Sequence, residues 1–214
     1  MRNNSKLCAP NVSDSQATAN RDERYRYVVL MENFHYLHTA MQAVAHLDEI
    51  AQSMEIAQQC FAANMAAYAN MILDRQFSST AKLFYQIKAS KVELDEVQYQ
   101  AVFSKLAASK VLRSVEPSSM RKSIADIYKK VKRQITDKGT TATLGESASD
   151  MIAVAWAEIV EALCTRWKEY DRLCAACYAN EPGMPLSVAQ VRRLMVELVQ
   201  LVPPASSALA EPIE

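Results

Sequence analysis

Glycine is nearly missing from this chain, at three in 214 residues. No Asn-Gly or Asp-Gly pair lies between alternating apolar runs, so the tight hairpin turns of a sheet protein have no source. Charge excess is missing too: 24 basic residues balance 24 acidic ones, which argues against a duplex nucleic-acid partner. The longest apolar run, Met151–Cys164, is broken by Glu158 and Glu161 and is too short to span a bilayer. The opening residues are polar and lack the apolar core of a secretory signal. The five cysteines, Cys8, Cys60, Cys164, Cys174 and Cys177, are odd in number and irregular in spacing, which fits a reducing compartment rather than a disulfide framework.

What is abundant is Ala, Leu, Met, Gln, Glu and Lys, a composition of helices. Half the residues are hydrophobic, enough for a chain of this length to bury about 70% of its unfolded surface. The stretch from Val97 to Ile135 shows the organisation best. Met120, Ile124, Ile127, Val131 and Ile135 recur every three or four residues, a stripe on one side of a helix. Pro117 opens that helix, where a missing N–H does no harm. Before it, Val97, Ala101, Phe103, Leu106, Val111, Leu112 and Val115 form a less regular apolar set, so two helices packed around the proline turn are expected as a hairpin.

Residues 1–20 lack periodicity and read as a disordered tail, with a first helix starting near Asp22. Tyr27, Met31, Phe34, His38 and Met41 would line its buried face, widened by Leu30, Leu37 and Val44. The pattern restarts near Leu47, and Ile50, Met54, Ala57, Phe61, Asn64, Tyr68 and Ile72 stripe a second helix. The register breaks near Gln76–Thr80, with Ser78 or Ser79 as caps of a continuation, and Glu93, Asp95 and Glu96 suit another first turn. Residues 137–149 hold two of the three glycines and read as a long loop. A long helix then runs from about Ala148 to Tyr178 on Ile152, Trp156, Ile159, Leu163, Tyr170, Leu173 and Cys177. Ser187 would cap a last helix carrying Val191, Leu194, Met195, Leu198 and Leu201, which Pro203-Pro204 ends before a disordered tail over 203–214. The expectation is an all-α, elongated, mostly antiparallel bundle of about six helices over residues 21–202.

Chemistry is thinly supported. Glu32, His35 and His38 supply one Glu-x-x-His, half of a di-iron bundle site, and no second copy follows. Cys174-Ala-Ala-Cys177 has a redox or zinc spacing but falls inside a helix, where small core residues are the better account. No phosphate loop, nucleophile elbow or acidic metal box is present. The reading is a non-enzyme with no catalytic residue, cofactor, metal, nucleic acid or small-molecule substrate. The one local field is basic: Arg121, Lys122, Lys129, Lys130, Lys132, Arg133 and Lys138 stand against Asp126 and Asp137. The first six form a candidate patch for acidic lipid headgroups or an acidic partner, weighed against an ordinary solvated face.

The order of motifs resembles a known family. The run Arg24–His38 (RYRYVVLMENFHYLH) is similar to the start of the C-terminal helical region of exocyst complex component one, the Sec-three subunit. Val97, Tyr99, Gln100, Ala101, Phe103 and Lys105, then Pro117, then Ile127-Tyr128-Lys129-Lys130-Val131 follow in that family's order. Trp156, Tyr170, Cys177-Tyr178 and the final helix extend the resemblance over about residues 23–202. It implies a helical rod of a tethering complex that holds secretory vesicles at the plasma membrane through protein–protein contacts. Other exocyst subunits would be its partners; anionic membrane lipids are a further candidate from the basic patch alone. The location implied is cytoplasmic, peripheral to the plasma membrane or secretory vesicles. Members of that family are several times longer than this chain.

Overall fold

The structure, a computed structural model, describes residues 12–42, 48–90, 103–136, 147–178 and 182–201. Seven α-helices carry them: α1 (Val12–Gln42), α2 (Asp48–Gln76), α3 (Ser78–Ser90), α4 (Lys105–Leu112), α5 (Pro117–Thr136), α6 (Ser147–Tyr178) and α7 (Val188–Leu201). A single 3-10 turn, Arg113–Val115, joins α4 to α5. No strand occurs among the described residues, and the protein is an all-α helical bundle. Of the loop expected over 137–149, residues 147–149 are helical, and the rest of it, the acidic turn at Glu93–Glu96 and the stop at Pro203-Pro204 lie outside the described residues.

The bundle is organised around α6, whose 32 residues extend about 48 Å at 1.5 Å per residue. Helices α2, α3, α5 and α7 all pack on it. Its stripe is wider than expected, because Met151, Ala155, Val160, Cys164, Trp167, Cys174 and Tyr178 are buried beside Trp156, Ile159, Leu163, Tyr170, Leu173 and Cys177. A helix enclosed by four neighbours has apolar residues around most of its girth. Its ring contacts mark the neighbours. Tyr128 of α5 meets Trp156 edge-on at 5.1 Å, Phe84 of α3 stacks on Tyr170 at 4.1 Å, and Phe77 approaches Trp167 at 6.1 Å.

Helices α1 and α2 pack along their lengths, and the short connection between them makes the pair antiparallel. Helix α1 begins at Val12, ahead of the start expected near Asp22. After Pro10 no proline or glycine interrupts the segment, and Gln16, Ala17 and Ala19 favour helix without needing an apolar stripe. The buried face of α1 is also turned from the expected one. Val28, Met31 and Glu32 are buried, Tyr27, Phe34, His38 and Met41 are half-buried, and Leu37 is exposed. On α2 the core runs through Ala57, Met65, Tyr68, Ala69, Ile72 and Leu73, while Ile50, Met54, Phe61 and Asn64 are half-buried.

The register break between α2 and α3 falls at Phe77, and it is slight. Phe77 N–H donates to Leu73 O at 2.9 Å, and Ala81 N–H to Phe77 O at 2.8 Å, so backbone bonding continues across it. With that split there are seven helices among the described residues, where about six were expected. The proline turn is as the sequence implies: Glu116 is extended (φ −62°, ψ 160°) immediately before Pro117 opens α5. Residues 97–102 of the hairpin expected around it lie outside the described residues. Helix α4 has eight residues and packs on α3 rather than along α5. Only Ala108 and Leu112 of α4 are buried, and Leu106, expected inside, is 80% exposed. At the far end, Ser187 caps α7 as expected. Gln190 N–H donates to Ser187 Oγ at 3.3 Å and Ser187 N–H to Gln190 Oε1 at 2.8 Å, a reciprocal capping box.

Candidate functional site

All five residues of the α5 stripe, Met120, Ile124, Ile127, Val131 and Ile135, are fully buried. At 100° per residue, Lys122, Lys129 and Arg133 fall within about 40° of one another on the opposite side. Arg121 and Lys132 flank that row on one edge and Lys130 on the other. The structure therefore places all six expected cations on one outward half of α5, and five of them are exposed, with Lys132 half-buried. The edges are tied to neighbouring helices. Lys130 Nζ donates to Gln76 Oε1 of α2 at 2.8 Å, and Arg121 lies 3.8 Å from a carboxylate oxygen of Glu197 on α7. Behind Lys130, the Tyr68 hydroxyl donates to Gln134 Oε1 at 2.7 Å, fixing α5 against α2. Lys138 lies outside the described residues.

A second feature had no signal in any one stretch. Asp74, Ser78, Lys82, Phe84, Tyr85, Lys88, Arg166, Glu169, Tyr170 and Leu173 line an open groove of about 540 Å³ where α2, α3 and α6 meet. Four of its charged side chains are paired across helices. Arg166 donates to Asp74 Oδ1, to Asn70 Oδ1 at 2.8 Å and to Asn70 O at 3.3 Å, and Lys88 pairs with Glu169 at 2.7 Å. The floor is the Phe84–Tyr170 stack, and burial pushes the Tyr170 hydroxyl above its ordinary range. These groups come from three helices, with Arg166 and Asn70 bonded across 96 positions, so no local spacing announces them.

The Glu32, His35 and His38 set does not converge on a metal-binding group. Among the described residues no cluster of three or more His, Cys, Asp or Glu side chains could hold an ion. His35 packs its ring against Phe61 at 5.9 Å, and His38 Nε2 lies 3.1 Å from Gln42 Nε2. Glu32 is buried, its Oε1 has no hydrogen-bond partner, and desolvation raises its pKa to about 7. Cys164, Cys174 and Cys177 are free, buried core residues, and burial pushes the Cys174 thiol up to about 12, away from thiolate chemistry. No helix among the described residues is long and apolar enough to cross a membrane.

The family described as exocyst complex component Sec3, C-terminal, matches residues 2–180. The chain belongs to that family. The match takes in α1 from its beginning and stops before α7, so the final helix lies beyond it, although the sequence motifs suggested otherwise. This Sec3-family chain is 20% identical over 173 residues to exocyst complex component 1 of Dictyostelium discoideum, covering 80% of the chain and 18% of that protein. It is 24% identical over 158 residues to exocyst complex component 1 of Drosophila melanogaster, covering 72% of the chain and 16% of that protein. The chain thus spans less than a fifth of the length of these relatives. No solved structure matches it.

Proposed function

We propose that this chain is a non-enzymatic structural part of the exocyst, acting in the tethering of secretory vesicles to the plasma membrane through contacts with other exocyst subunits. The observation that carries this reading is the Sec3 C-terminal family match over residues 2–180. The fold supports it. The helices present extended outer faces, and much of their interhelical polar chemistry, such as Arg192 on both oxygens of Glu161 at 2.6 and 2.8 Å, holds the bundle together. A rod of this kind works by stiffness and surface, not by turnover. It resides in the cytoplasm, peripheral to the plasma membrane or vesicles, and takes neither nucleic acid nor a small-molecule substrate. Affinity purification of the tagged chain from its native cells tests this: exocyst subunits recovered in fixed ratio support it, and their consistent absence under gentle lysis overturns it.

A further inference from the structure

Charge on this molecule is segregated. Helix α5 carries six cations and one acid, Asp126, while the whole chain sums to zero. One 20-residue helix is therefore five charges positive and the remainder five negative. The arrangement across the helix is informative as well. The edge cations Lys130 and Arg121 are engaged with Gln76 and Glu197. The central row, Lys122, Lys129 and Arg133, is exposed and makes no hydrogen bond or ion pair among the described residues. Lys122 and Arg133 stand about 16 Å apart along the axis. The fully buried stripe beneath, from Met120 to Ile135, holds the row in place.

We propose that this outward row of α5 is a contact surface for an anionic membrane, with Lys122, Lys129 and Arg133 meeting acidic phospholipid headgroups. The chemistry of the face selects that occupant. None of the large exposed apolar side chains, Tyr36, Leu37, Ile56, Tyr85, Leu106, Val154 and Val196, belongs to α5. A protein interface needs an apolar or aromatic centre and is poor in lysine. A headgroup layer asks only for positive charge at its surface. A nucleic acid would wrap or cross more of the protein and meet the negative remainder, whereas a planar bilayer touches one face. The proposal goes beyond exocyst membership and does not depend on it.

Co-sedimentation of the full 214-residue chain with vesicles tests this. Vesicles of phosphatidylcholine with phosphatidylserine are expected to pellet the chain, and phosphatidylcholine alone is not. The triple reversal K122E/K129E/R133E should weaken that partitioning at least about a hundredfold, the loss expected from removing three basic residues at an anionic surface even before the added repulsion. A matched reversal on α3 and α6, K82E/K168E/R172E, should leave it within about twofold, with helical circular dichroism unchanged in both. Should the α5 variant not fold, loss of wild-type binding on raising salt from about 0.05 to about 0.5 M carries the same weight. Equal pelleting by neutral vesicles, equal loss in both variants, or no pelleting by acidic vesicles beside retention on an immobilised acidic peptide or a duplex DNA would each overturn the proposal. Any of these would leave co-purification with exocyst subunits unaffected.

Discussion

The indole N–H of Trp167 donates to the carbonyl of Leu186 at 3.0 Å, inside the protein. Trp167 belongs to the central helix α6, and Leu186 lies in the turn that leads to α7. One buried hydrogen bond thus fixes where the last helix starts, and the Ser187 capping box follows it directly.

Replacing Trp167 tests that joint. Trp167→Phe keeps most of the ring packing against Phe77 and Tyr170 but leaves the Leu186 carbonyl unpaired. A loss of about 1–3 kcal/mol is expected in urea unfolding, against about 3–5 kcal/mol for Trp167→Ala, which also opens a cavity. A Phe variant as stable as the parent would remove the hydrogen bond from the account.

Ser187→Ala should be milder, about 1 kcal/mol, because it removes one cap acceptor from an exposed helix end. The loss should appear as faster amide exchange in the first turn of α7, with α2 unaffected.

Glu32 makes stability depend on pH. Its folded pKa, raised from 4.5 to about 7, exceeds the unfolded value, so the folded chain holds the proton more tightly. Stability is therefore expected to fall as pH rises from about 4.5 to about 7, with the penalty complete above that window. Glu32→Gln should flatten this part of the profile and raise stability at pH 8 by on the order of 1–2 kcal/mol, since a buried charge without a partner is removed. Melting temperatures of both chains from pH 5 to 8 decide it; parallel profiles would contradict the assignment.

The two charge pairs of the groove should differ in weight. Arg166 is largely enclosed and engages Asp74 and Asn70 at once, whereas Lys88 and Glu169 are far more exposed. Arg166→Lys is expected to lose about 1–3 kcal/mol because an ammonium does not reproduce the fork. Lys88→Ala should change stability by less than about 1 kcal/mol. A double-mutant cycle on each pair measures the difference directly.

A control for the core reading is the pair Leu106 and Ile127. Leu106→Ser should stay within about 0.5 kcal/mol, because the side chain is 80% exposed. Ile127→Ala should lose about 2–5 kcal/mol, because Ile127 is fully buried in the α5 stripe.

Composition and local pattern determined the helical class, the α5 stripe, the proline turn and the Ser187 cap, because each is written in residue types or in residues within a turn or two of one another. Local pattern misjudged Leu106 and the buried face of α1, since an apolar residue on a short helix says nothing about whether a neighbour arrives to cover it. Only the tertiary structure decided that α6 is the centre, that α4 lies on α3, and that Lys130 and Arg121 are held while Lys122, Lys129 and Arg133 are left facing outward. Those outcomes depend on which helices meet across dozens of residues, and packing between distant surfaces leaves no mark in local spacing.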